Sequence, residues 1–170
     1  MLRKQLSPSS CKAPIPPWLA WLAVLACCGS CGRQVDTGED PNVTAKGSFE
    51  VAAQLVEIRG QLPDLPNYNY AFVMKYKVLE VHRGKIDGET IYVAHYNPHK
   101  PRDAAADAAA KQIGGNLKRL EPGDVHRMAL EVPIDDYYMG AIIDRYFDEK
   151  KAQQSTEPIY WAVWTNRVVK

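Results

Sequence analysis

Phe49, Val51, Ala53 and Leu55 alternate with Glu50, Ala52 and Gln54, the period-two pattern of a half-buried strand. After Leu55 the apolar phase moves to Val56 and Ile58. The same shift recurs downstream, where Phe72, Met74, Tyr76 and Val78 share one face before Leu79 and Val81 take the other. A phase shift inside a continuous strand predicts a β-bulge or a strongly bent strand of the kind that builds small closed sheets. Turn chemistry at Gly84 and Gly88 then leads into a third strand, Glu89 to Tyr96, with Ile91, Val93 and His95 on one face and Tyr92 and Tyr96 on the other. Val125 to Val132 reads as a fourth strand, with Met128, Leu130 and Val132 on one side. Pro158 to Val169 reads as the last.

Two helices are expected between these strands. Asp103 is placed to cap a helix through Ala104 to about Ile113, ended by Gly114-Gly115; six of its residues are alanines, so its propensity is high and its apolar surface small. A second helix is expected from about Tyr137 to Lys151, because Tyr138, Ile142 and Tyr146 fall at fourfold spacing with Met139, Ile143 and Phe147 beside them. The fold class is therefore mainly β with two helices. The element order is that of the OB-fold, a five-stranded Greek-key barrel with a helix between strands three and four, and with an extra helix between strands four and five. An α+β sheet with both helices on one face is the alternative.

The first 47 residues break this pattern. Arg3, Lys4 and Lys12 precede an apolar run from Trp18 to Ala26, too short for the ~20 residues of a membrane span and suited to a secretory signal peptide. Val24-Leu25-Ala26-Cys27 resembles the bacterial lipobox, which makes residues 1–26 a signal peptide and Cys27 the lipidated mature N-terminus. Residues 27–47, polar and free of aromatics, read as lipidated terminus and flexible tether. Residues 48–170 read as one domain. The implied location is the bacterial cell envelope, extracytoplasmic and membrane-attached through the N-terminal lipid.

Composition narrows the partners. All four cysteines lie within the first 31 residues, so the domain folds without disulfides or thiolate metal sites. The leader carries three of the 21 basic residues and none of the 20 acidic ones, which leaves a near-neutral mature chain without the basic stripe of a nucleic-acid binder.

Tyr76-Lys-Val-Leu-Glu-Val-His-Arg-Gly84, Ile91-Tyr-Val93, Gly115-Asn-Leu117 and Leu120-Glu-Pro-Gly123 together resemble the netrin-like and metalloproteinase-inhibitor OB modules. His95 to Arg102 and Ala129 to Tyr138 are also similar to a family of bacterial exported proteins, a resemblance that implies no activity. Inhibitor modules of this type resemble one another in chelating the protease metal with a free N-terminal cysteine stapled to the barrel. Here the candidate cysteine is acylated and the domain has none, so that mechanism is not expected.

No GxSxG serine, P-loop or dinucleotide fingerprint is present, so neither a catalytic identity nor a cofactor is expected. The aromatic residues carry the preferred reading. OB barrels bind along strands two and three and through the first and fourth interstrand loops, here residues 61–69 and 133–157. Tyr68, Tyr92, Tyr96, Tyr137 and Tyr138 are thus candidate ligand-binding residues, their rings suited to stacking on sugars or on a partner's apolar side chains. The protein is expected to be a binding or assembly module for an extracytoplasmic protein or polysaccharide. The alternative is a small metal-binding protein or metal-assisted hydrolase using His95, His99, His126, Asp135 and Asp136; the bland reading makes the histidines hydrogen-bonded barrel residues and Asp136 a helix cap.

Overall fold

A computed structural model of the chain describes residues 36–65, 67–147 and 157–169. The expected signal peptide and the expected lipidation at Cys27 lie outside the described residues. In chain order the elements are helix α1 (Pro41–Ala45) and strands β1 (Phe49–Glu57), β2 (Tyr70–Arg83), β3 (Thr90–Tyr96), β4 (Val125–Glu131), β5 (Ala141–Ile143) and β6 (Ile159–Arg167). β1 lies antiparallel between β4 and β2, β2 runs antiparallel to β3, β3 parallel to β6, and β6 antiparallel to β4. The five long strands therefore close into a barrel, with the three-residue β5 appended parallel to Tyr70–Phe72 of β2.

Closure depends on the phase shifts visible in the chain. The β1–β2 pairing slips between Glu50 and Val51, between Ala52 and Ala53, and between Leu55 and Glu57. Each slip bends and twists the strand, which is what a small barrel needs to meet its own edge. The β2–β3 hairpin turns through Gly84 (φ 80°), where a Cβ would lie 2.5 Å from the Phe49 ring, so backbone conformation and space both require glycine.

Two apolar layers hold the barrel. Its interior is filled by Val51, Leu55, Phe72, Met74, Ile91, Val93, Met128 and Leu130 among others, the alternating faces predicted from the pattern. A second layer lies outside, where Ala71, Val73, Ala94, Tyr96, Trp161 and Val163 are covered by Ala105, Ala110, Ile113, Ile134 and Tyr138 from the long connections. The first half of β2, with β3 and β6, is thus buried on both faces. That explains why Tyr70 to Met74 is a continuous apolar run rather than an alternating one.

The two expected helices are not formed in the described residues, and this corrects the two-helix assignment. Between β3 and β4 there is only a 3-10 turn, Arg102–Ala104, followed by irregular chain. Asp103 does not cap a helix; its carboxylate lies 2.5 Å from Lys118 Nζ. Asp107, in the middle of the alanine run, turns the chain instead: one carboxylate oxygen accepts from the Ala109 and Ala110 amides, the other from Tyr96 Oη and Asn69 Nδ2. A ten-residue helix with little apolar surface is marginal, and this local alternative, fastened to the barrel, wins.

Between β4 and β6 the chain forms a second 3-10 turn, Ile134–Asp136, and then β5. Ile142 and Ile143 point to opposite sides of β5, one to each apolar layer, so their spacing from Tyr138 and Tyr146 does not define a helix stripe. Asp144 closes the segment by accepting from the Tyr146 and Phe147 amides. One short helix and two 3-10 turns are the helical content of the described residues. Among them no helix is long and apolar enough to cross a membrane.

The one helix lies where a tether was expected. Residues 36–47 are part of the folded unit: Asp36 pairs with Val169, α1 buries Val43, and Arg83 donates to the carbonyls of Val43, Thr44 and Lys46. Asp40 fastens both ends of this strap. Its Oδ1 accepts from the Asn42 and Val43 amides, capping α1, while its Oδ2 accepts from Trp164 Nε1 at 3.0 Å and Asn166 Nδ2 at 2.5 Å on β6. Under the strap Glu39 and the buried Glu50 pair with Arg127, and Glu50 also with Arg83.

Candidate functional site

The end of β1 and the start of β2 meet the segment that precedes β6. β5 zips onto the start of β2, and Tyr146 Oη donates to the Glu57 carbonyl at 2.9 Å. Arg145 packs over the Phe72 ring and against Gly60, while the Arg59 guanidinium lies 5.8 Å from the Tyr146 ring centre. The chain after β1 and the chain before β6 are therefore one surface.

The candidate tyrosines divide sharply on this surface. Tyr68 and Tyr137 are exposed, at 54% and 41%. Tyr92 is half-buried, its ring edge-on to Phe147 at 4.7 Å and tilted against Tyr146 at 5.1 Å. Tyr96 is buried, donates to Asp107 Oδ2 at 2.7 Å and packs edge-to-face on Tyr138 and Trp161. Tyr138 is stacked flat on Trp161 at 5.0 Å. Tyr96 and Tyr138 are thus structural members of the outer apolar layer, and of the five candidate tyrosines Tyr68, Tyr137 and the edge of Tyr92 are the ones open to solvent. The cause is the covering chain, which lies over a face that alternation alone leaves open.

Leu65, 39% exposed, is tied to Tyr68 by a turn hydrogen bond from the Tyr68 amide to the Leu65 carbonyl. Met139, just before β5, is 98% exposed. The Tyr138 phenol is raised by burial and then by Asp107 and Tyr68.

The histidines and aspartates do not assemble. Among the described residues no group of three or more His, Cys, Asp or Glu side chains is placed to hold a metal ion. His99 is exposed on the turn after β3, stacked 6.0 Å from Tyr70. Asp135 and Asp136 are exposed in the second 3-10 turn, where no helix follows for Asp136 to cap.

His95 and His126 do come together, through a residue not singled out by its sequence context. Both are fully buried inside the barrel, and Tyr76 lies between them, its Oη 2.9 Å from His95 Nε2 and 3.1 Å from His126 Nδ1. Tyr76, His95 and His126 come from β2, β3 and β4, so one phenol ties three strands. The phenol has one proton to give and lone pairs to receive, so it donates to one imidazole and accepts from the other.

All three groups are held neutral. Burial pushes the Tyr76 phenol up. Burial, then Arg102 and His126, holds His95 well below its ordinary value. His126 is lowered to about 4 by burial, with Asp124 opposing and Arg102 adding to the shift. Arg102 itself is buried and donates to the carbonyls of Tyr96, Asn97 and Lys100 at 2.6–2.9 Å. Its guanidinium is lowered to about 10, again chiefly by burial. Enclosed in this way, the cluster has no open position for a substrate. Its chemistry is hydrogen bonding and proton uptake.

No protein-family model matches the chain, and no curated protein or solved structure is significantly similar to it.

Proposed function

We propose that this chain is a lipid-anchored protein of the bacterial envelope whose barrel is OB-like and serves as a binding or assembly module for an extracytoplasmic protein. The OB-like assignment is supported by the circular strand order β1-β2-β3-β6-β4, with its parallel closure between β3 and β6. Barrels of that kind present ligands to loops at one end, and the connections after β1 and before β6 meet as that geometry requires.

The observation that carries the reading is Met139, almost wholly exposed next in the chain to the stacked Tyr138, with Tyr68 and Leu65 also exposed on the connection between β1 and β2. Methionine and leucine have no hydrogen bonds to offer a sugar, whereas flexible apolar side chains beside an aromatic suit a protein partner. A protein is therefore favoured over a polysaccharide. The netrin-like resemblance accords with such a role.

The test places a photo-crosslinking amino acid at 68 or 139 of the full chain in its own cells, with position 118 as control. One discrete protein adduct from 68 and 139, absent from 118, supports the proposal. Adducts equally strong at 118, or none at 68 and 139, refute it, and retention on isolated envelope polysaccharide would transfer the site to that ligand. The anchor is tested separately by mass spectrometry of the mature N-terminus. Acylation is expected on Cys27, and a Cys27→Ser chain should leave the membrane fraction.

A further inference from the structure

We propose that Tyr76, His95 and His126 form an acid-responsive latch inside the barrel, which tolerates one added proton and is broken by the second. The inference is independent of the partner proposed above. It starts from proton counting at a single oxygen. In the neutral cluster the phenol donates to one ring nitrogen and accepts from an N–H of the other ring, so His95 and His126 present opposite hydrogen-bonding characters to it. The outer nitrogens, His95 Nδ1 and His126 Nε2, have no partner among the described residues.

A first proton is compatible with this chain. Protonated on both nitrogens, His126 donates Nδ1–H to the phenol oxygen, and the phenol still donates its proton to His95 Nε2. Asp124, which favours the charged form of His126, makes that ring the first to take up a proton. A second proton on His95 turns both facing nitrogens into donors. The phenol then has two N–H groups directed at its oxygen and no acceptor for its own proton. Two imidazolium charges would also flank one oxygen in a dry interior.

The surroundings oppose the second charge further. Arg102, from the turn after β3, disfavours the charged form of both rings. Asp124, before β4, offsets this in part, and only at His126. β1 and β6 contribute Val51, Ala53, Leu55, Tyr160 and Ala162 to the same interior, of which Tyr160 is ionisable and is kept in its neutral phenol form by burial and Asp87. The way to relieve a doubly protonated cluster is to expose an imidazole, and that opens β3 from β2 or β6, or β4 from β1 or β6.

The sign of the pH response follows. Both rings titrate lower in the folded chain than the ordinary histidine value of 6.5, so the unfolded chain binds protons first as pH falls. The contribution of the cluster to stability is complete above pH 6.5 and is lost below it. With two protons taken up on unfolding, the folded-to-unfolded ratio should fall by about a hundredfold per pH unit through the middle of that window.

The experiment is urea unfolding of the full chain from pH 7 to 4.5, with side-chain nitrogen NMR of the histidines on the same samples. His126→Gln and His95→Gln keep a hydrogen-bonding amide and remove one titrating group each. Each should reduce the slope by one proton, to about tenfold per pH unit. A histidine that takes up its proton alike in the folded and unfolded chain would lower stability equally at every pH, so an unchanged slope overturns the latch. If either variant fails to fold, the native chain decides: complementary ring tautomers that stay neutral to below pH 5 support it, and ordinary titration near 6.5 for both rings refutes it.

Discussion

Asp40 provides the most direct test of how the barrel is built, because one carboxylate joins the strap to β6. Its Oδ1 caps α1 through two backbone amides and its Oδ2 receives the Trp164 indole and the Asn166 amide. Removing an N-cap costs about 1 kcal/mol. Removing the acceptor leaves the half-buried Trp164 N–H without its partner, about 1–2 kcal/mol more, whereas Asn166 Nδ2 keeps the Gly38 carbonyl. Asp40→Ala should therefore destabilise by about 3 kcal/mol, roughly a 10 °C fall in Tm for a domain of this size.

Asp40→Asn separates the two functions. A carboxylate accepts on both oxygens, but an amide accepts on one side only, so it satisfies either the α1 amides or the β6 donors and directs its NH2 at the other pair. A loss of about 1–2 kcal/mol is expected, between wild type and Asp40→Ala. The carboxyl also has a pH signature. Burial pushes it up, but hydrogen bonds from the Val43 amide, Asn166, Trp164 and the Asn42 amide outweigh that and leave it below 3.8. The unfolded chain then takes up the proton first, so the contribution is present above pH 3.8 and disappears as pH falls through the lower folded value. The gap between wild type and Asp40→Ala should close in strong acid. Urea unfolding followed by tryptophan fluorescence measures all of this. A change below about 0.5 kcal/mol for Asp40→Ala would mean that residues 36–47 lie outside the cooperative unit, restoring the tether originally expected there.

Gly114→Ala places a Cβ 2.2 Å from the Trp164 ring and should destabilise by about 1–3 kcal/mol in denaturant titrations, more than Gly88→Ala, whose Cβ meets open space and whose penalty is the positive φ alone. Arg102→Met removes the guanidinium donor from the carbonyls of Tyr96, Asn97 and Lys100, of which Asn97 keeps the Lys100 amide, and should cost about 2–4 kcal/mol. If that variant retains its fold, the rings of His95 and His126 should titrate higher than in wild type by NMR, since Arg102 lowers both. Lys118→Ala breaks an exposed pair with Asp103 and should leave the denaturation midpoint almost unchanged, any difference being erased by added salt.

The barrel strands were legible because alternation and burial coincide in them. The phase shift after Leu55 reports the slip between Leu55 and Glu57, and the face shared by Phe72, Met74 and Tyr76 is the face that fills the interior. The helices were misread for opposite reasons. In the alanine run, propensity was read without an anchor, and Asp107 supplied a better one to Tyr96 and Asn69. At Tyr138, Ile142 and Tyr146 the fourfold spacing came from three separate local devices: a stack on Trp161, a three-residue strand and an Asp144 turn.

The site shows what alternation does and does not contain. It assigns Tyr92 and Tyr96 to the outside of the barrel, and they are there; it does not say that Tyr138 and the chain from Arg102 to Ile113 cover that side, because cover is decided by segments without a period of their own. Parity puts the members of the cluster on inward faces, but that they meet at one level is seen only in the fold. Tyr76 shares a face with Phe72 and Met74, His95 with Ile91 and Val93, and His126 with Met128 and Leu130, all interior. Three polar-tipped side chains on three inward faces of a cysteine-free barrel have no solvent to turn to and must satisfy one another. That constraint, more than any metal-ligand spacing, is what the histidines encode, and it leaves the barrel tied by neutral groups that strong acid would charge.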